Sequence, residues 1–199
     1  MDTFISFLLQ RVYKSKPIPN KVVEIALNNT IKDVKYHFPA LENDDIIQRI
    51  KLNNNELAVF LFRLGRELHL SKLETLKIQI HSLLKELCSS EIYFNNDIDV
   101  GFYIVHGQGL IIGSRNKIGK GFIIHQGCTI GHKRNGAGSG VFINDNVKVY
   151  CNSSIIGEVE IGENVIIGAH VLITKNVIPN SIVTNALEIN SKLINTNSF

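Results

Sequence analysis

The run Ile143–Ile173, INDNVKVYCNSSIIGEVEIGENVIIGAHVLI, places an aliphatic residue at Ile143, Val149, Ile155, Ile161, Ile167 and Ile173, one every six positions. Upstream the same step runs Ile112, Ile118, Ile124 and Ile130. A helix repeats every 3.6 residues and a flat strand every 2, so neither gives this spacing. A triangular parallel β-solenoid does. Each six-residue unit forms one side and turns one corner, with its aliphatic residue pointing at the axis. Glycine follows Ile112, Ile118, Ile130, Ile161 and Ile167, and glycine or asparagine tolerates the tight backbone of a corner.

Before Glu91 the pattern is helical. Phe4, Phe7, Leu8 and Val12 suggest a first amphipathic segment, and Val22, Val23, Ile25, Ala26 and Ile31 a second. Leu57, Phe60, Leu61, Leu64 and Leu68 recur at three- and four-residue spacing, as do Leu73, Leu76, Ile80, Leu83, Leu84 and Leu87. The KPIP run (Lys16–Pro19) and the HFPAL run (His37–Leu41) are breaks, because proline loses a helical hydrogen bond. The LNNNE run at Leu52–Glu56 separates two helices and supplies an asparagine N-cap. The expected fold is α+β: an α-helical cap and oligomerisation domain over 1–90, a left-handed parallel β-helix over 91–188, and a tail over 189–199. The helices would cover the open first rung of the coil.

Composition narrows the function. The 199 residues are 44% hydrophobic and 20% charged, as in a soluble globular protein. A net charge of +3 with no basic run argues against nucleic acid and suits, weakly, an anionic ligand such as a CoA phosphate. The first sixteen residues lack a signal-peptide cleavage site and nothing nears the ~20 apolar residues of a membrane span, so a cytoplasmic location without membrane insertion is expected. Cys88, Cys128 and Cys151 share no CxxC spacing and read as buried free thiols. The seven histidines form no metal-ligand pattern, and GxSxG, GxxxxGK[ST] and GxGxxG do not occur.

Solenoids place function where the repeat breaks. One break inserts two residues between Ile104 and Ile112, at His106-Gly107-Gln108-Gly109. The other sets Ile143 thirteen positions after Ile130 instead of six, and includes the glycine-rich GHKRNGAGSGV (Gly131–Val141), read as an extended loop leaving the prism. The breaks are little more than one coil apart and can face one another. His106 is either a catalytic imidazole or a solvated turn residue. His132 is open to a ligand contact or to a loop contact without chemistry, His125 reads as a surface or ladder residue, His170 as a corner residue that is structural or a cofactor contact, and His37, His69 and His81 as packing or surface residues of the helical half.

Taken together, the hexads, the histidine bulge and the glycine loop resemble the serine acetyltransferase branch of the hexapeptide-repeat acyltransferases. The resemblance runs from about Leu57 to Glu188. Ala58–Arg66 is similar to the family's A-x-x-x-Y-R-I-x-H, Glu91-Ile92 to its D-I, His106…Gly109 to its H-x-x-G, Thr129-Ile130-Gly131-His132 to its T-L-G-G, and Ile167–Val177 to its I-G-A-x-S-V-V-x-K-D-V. The resemblance implies acetyl-CoA as co-substrate, no metal, a homotrimer or dimer of trimers, and a site shared by two subunits. It implies His106 as general base with Glu91 orienting it (otherwise an exposed helix-end acid), and Gly131, His132, Cys151, Ala169 and Lys175 as CoA contacts. A positioned imidazole typically contributes ~10²–10⁴-fold to activation of a hydroxyl, and a carboxylate on its other nitrogen fixes the tautomer.

The departures concern the acceptor. Enzymes of the branch that use L-serine carry an aspartate before the histidine, an R-H-P run and a D-P-A run. Here these are Val105, Ser139-Gly140-Val141 and Phe38-Pro39-Ala40. Burying a zwitterion without charged partners is costly. The expectation is therefore a saccharide hydroxyl, of a capsular or surface polysaccharide or its precursor. L-serine, N-acetylation of an amino sugar, and a non-catalytic scaffold are the alternatives. For serine, Arg134, Glu42 and Asp44 are candidate charges.

Overall fold

The computed structural model describes residues 1–134 and 138–185. The expected tail at 189–199 and the centre of the glycine loop lie outside the described residues. Five helices come first: α1 (Asp2–Leu9), α2 (Asn20–His37), α3 (Asn43–Leu52), α4 (Asn54–Leu70) and α5 (Glu74–Cys88). The prolines of both runs fall between helices, and Pro19 stands at the N-cap of α2. Asn53 caps α4, its side chain accepting from the Asn55 amide at 2.9 Å. The first segment differs from its sequence pattern. α1 stops at Leu9, Phe7 is exposed, and Ile5, Leu8 and Leu9 are the buried residues. Ile5, Leu8 and Leu9, spaced i, i+3 and i+4, form its inward face, and Phe7 lies off that face.

Short strands then wind in a coil: β1 (Glu91–Ile92), β2 (Asp97–Ile98), β3 (Tyr103–Val105), β4 (Ile111–Ile112), β5 (Lys117–Ile118), β6 (Ile123–His125), β7 (Thr129–Gly131), β8 (Phe142–Ile143), β9 (Lys148–Val149), β10 (Ser154–Ile156), β11 (Glu160–Ile161), β12 (Ile166–Ile167), β13 (Leu172–Ile173) and β14 (Ile182–Val183). They stack into three parallel faces. The first is β1-β4-β7-β10-β13, the second β2-β5-β8-β11, and the third β3-β6-β9-β12-β14. The hand is that of the left-handed β-helix. Register puts like on like, Ile112 on Ile130 and Ile124 on Val149. None of the ten hexad aliphatics is more than 5% exposed. Asparagines with positive φ turn the corner between the second and third faces, and their amides form a ladder from Asn146 to Asn164 (3.2 Å) to Asn180 (2.9 Å).

α4 packs on β3 and α5 on β1, so the helices cover the first rung. Gly65 permits that approach, since a Cβ there would stand 2.2 Å from the Phe94 ring. One ion pair locks the joint. Arg63 donates Nε and Nη2 to Asp33 at 2.7 and 2.8 Å, and two of its N–H groups to the carbonyls of Ile98 and Asp99. Asp33, 1% exposed, also accepts from the amides of Gly101 and Phe102. Three segments are thereby tied through one buried carboxylate.

Candidate active site

The two breaks in the repeat border the same face. His106–Gly109 forms the corner by which the chain passes from β3 on the third face to β4 on the first. His106 is exposed and has φ +61, a left-handed conformation uncommon outside glycine. The bulge is fastened beneath. Ser90 Oγ donates to the Gly107 carbonyl at 2.8 Å, and the Gly109 amide to the Ser89 carbonyl. The corner continues up the coil through backbone bonds from Gly127 to Gln108, Asn152 to Gln126 and His170 to Cys151. His106, Cys151 and Ala169 therefore share one corner column.

The glycine loop leaves from the opposite edge of the first face, between β7 and β8. Gly131 pairs with Ile156, and Thr174 and Lys175 follow β13 at the same edge. His132 Nε2 lies 2.8 Å from the Ser114 carbonyl, and a carbonyl only accepts, so Nε2 carries the proton. Its Nδ1 is then an acceptor, buried and without a partner among the described residues. Beside it an open groove of about 430 Å³ is lined by His132, Lys133, Arg134, Glu158 and Thr174. A groove of about 460 Å³ at α5 and β1, lined by His69, Lys77, Ile78, His81 and Tyr93, excludes both corners. The expected contacts thus fall into two groups, one on each edge of the first face.

Glu91 opens β1 on that face. Its described contacts run to Lys85 Nζ at 2.9 Å and His81 Nε2 at 3.5 Å, with none to His106. Burial, then the Lys85 charge, lowers the His81 pKa, with Glu91 opposing. His81 is thus no mere packing residue.

His125, expected as a surface or ladder residue, is half-buried and stands beside the column of the bulge. It pairs with Val105 across β3 and β6, one rung above the bulge, and stacks on Tyr150 with ring centroids 4.7 Å apart. Burial lowers its pKa first, and repulsion from His106 adds to this, so the two imidazoles lie within electrostatic reach. Of the thiols, Cys88 and Cys128 are buried and Cys151 is half-exposed, a departure from the expected burial of all three. Burial pushes the Cys88 pKa up to about 12. Among the described residues no His/Cys/Asp/Glu group is arranged to hold a metal ion, and no helix is long and apolar enough to cross a membrane.

A family profile described as Bacterial transferase hexapeptide (six repeats) matches residues 140–175. A serine acetyltransferase of Synechococcus elongatus is 30% identical over 122 residues, 60% of this chain and 50% of that protein, so the chain spans half that relative's length. A serine acetyltransferase of Helicobacter pylori is 27% identical over 123 residues, 58% of this chain and 68% of the relative. Among solved structures, Neisseria gonorrhoeae serine acetyltransferase in complex with serine superposes with a TM-score of 0.70 at 22% identity, over 92% of this chain and 71% of that one.

These relatives overturn the saccharide acceptor expected from the sequence: they are named serine acetyltransferase, and one was solved with serine. The physical error is identifiable. A charge clamp is a set of groups in space, and loss of three motif runs does not prevent other elements from supplying charge. The six-residue repeat and the three-faced coil make the chain similar to the hexapeptide-repeat transferases, and the relatives named above are similar to it as serine acetyltransferases.

Proposed function

We propose that this chain is an acetyl-CoA-dependent serine O-acetyltransferase with His106 as general base. The observation that carries the reading is the exposed His106, held at positive φ by a bulge in an otherwise regular corner column. In the reaction, His106 takes the proton of the serine hydroxyl as its oxygen attacks the thioester carbonyl carbon. The tetrahedral intermediate expels the CoA thiolate, which recovers the proton from the imidazolium. O-Acetyl-L-serine and CoA leave, and the base is restored.

Acetyl-CoA is assigned to the first face, its thin arm against Cys151, Ala169 and Gly131, with His132 Nδ1 as an acceptor and Lys175 as a charge for phosphate. Ile111 and Leu172 stand exposed on this face, which supports covering by a second copy, as in a homotrimer or dimer of trimers. Three thiols without a disulfide among the described residues suit the cytoplasm. Glu91 enters as the acid that steadies the imidazolium, for which it must release Lys85 or His81. Glu91→Gln should then lower kcat with the KM for serine little changed; an unchanged kcat would remove Glu91 from the mechanism.

Incubation of the purified chain with acetyl-CoA and L-serine tests the function. CoA release coupled to O-acetylserine, identified by mass and hydroxylamine lability, is expected. Absence of product at millimolar serine, with the chain folded and CoA bound, would reject it.

A further inference from the structure

The charged runs that would hold an amino acid are missing from the sequence, yet a charged pair includes the residue next to Asn55, which borders the His106 bulge. α4 points its first turn at that bulge: a Cβ on Gly107 would lie 3.7 Å from Asn55 Oδ1. The next residue, Glu56, is 3% exposed, and its Oε1 lies 2.9 Å from Arg49 Nε. The other oxygen, Oε2, is buried with no hydrogen-bond partner among the described residues. Arg49 stands over the Phe38 ring, 5.3 Å from its centroid, and Phe38 meets Tyr103 edge-on at 5.6 Å. Tyr103 begins β3, three residues before His106. Burial raises the Tyr103 pKa first, and the Glu56 charge raises it further against Arg49, so both charges act at the strand that leads to the base.

A buried carboxylate oxygen without a donor is destabilising, and one ion-pair contact leaves half of Glu56 uncompensated. A donor brought by a ligand would remove that cost. Arg49, whose side chain is 35% exposed, has N–H groups beyond the one directed at Glu56. A guanidinium beside a carboxylate complements an α-amino acid, whose own carboxylate and ammonium flank one carbon. A neutral sugar hydroxyl would leave both unanswered.

We propose that Glu56 and Arg49 form the clamp for the acceptor: Glu56 Oε2 receives the ammonium group and Arg49 the carboxylate. This rests on the serine reading and names the residues that determine it. They are specificity residues, since the proton transfer belongs to His106.

The test uses the purified full chain, wild type and variants, with L-serine, 3-hydroxypropionate (no ammonium) and ethanolamine (no carboxylate) as acceptors. Wild type is expected to prefer L-serine over both. Glu56→Gln should raise the KM for L-serine by at least about 30-fold, with the KM for acetyl-CoA within about twofold, and should lose the preference over 3-hydroxypropionate. Arg49→Met should lose the preference over ethanolamine. If a single variant does not fold, the double variant Arg49→Met/Glu56→Met removes both charges together, an exchange that folded proteins tolerate, and should show the same rise. A folded Glu56→Gln or double variant with the wild-type KM for serine overturns the clamp while the serine reading stands. A wild type inert toward serine yet active on another hydroxyl overturns both.

Discussion

The helical cap and the coil hold together by different physics. In the coil, one apolar contact is repeated: every rung sets an aliphatic residue on another, and neighbours do the same work. The cap meets the coil through a few unlike contacts, the Asp33–Arg63 pair and the Gly65–Phe94 approach among them. A repeated device spreads stability over many positions, and a single joint concentrates it. Damage should therefore be graded along the coil and abrupt at the joint.

The sharpest break in that contrast is Asp33→Ala. It strands a buried guanidinium and two backbone amides, so a loss of about 3–5 kcal/mol is expected in urea unfolding; a loss below about 1 kcal/mol would mean the joint is not where stability is concentrated. Next comes Ile124→Ala in the coil, at about 2–5 kcal/mol from transfer and cavity together. A cost near zero would mean the ladder is slack enough to collapse onto the gap. Asn53→Ala removes the N-cap of α4 and should cost about 1 kcal/mol; no change in Tm would assign that amide another acceptor.

The smallest effect is with pH. His81 and His125 are held below their ordinary value of 6.5, chiefly by burial. Between the folded and unfolded values the unfolded chain binds more protons, so stability rises with pH and this contribution is complete above about 6.5. His81→Gln should flatten the fall in Tm on acidification below that point; a parallel fall in both proteins would remove His81 as a source.

The same contrast explains what the sequence disclosed. In the coil a period of six assigns each residue a face, a direction and a rung, so Ile143–Ile173 was readable position by position. It held a signal that went unused: the residue after each inward aliphatic on the third face shares one column, which puts His125 above Val105 and Tyr150 above His125. In the cap, periodicity marks helices and proline marks breaks, but how helices pack depends on side chains distant in sequence. The helical period does not single out Asp33, and only folding brings it to Arg63 and Gly101. The acceptor was misjudged for the same reason. Motif runs were read where the arrangement of charges in space decides, and Arg49 and Glu56 belong to two helices with no shared motif.

The most direct test of the central claim is the turnover of L-serine by His106→Asn, in a preparation whose oligomeric state and Tm match wild type. Loss of the base is expected to lower kcat by ~10²–10⁴-fold with the KM for acetyl-CoA little changed. A kcat within a few-fold of wild type would contradict the account, because the proton would then be leaving by another group.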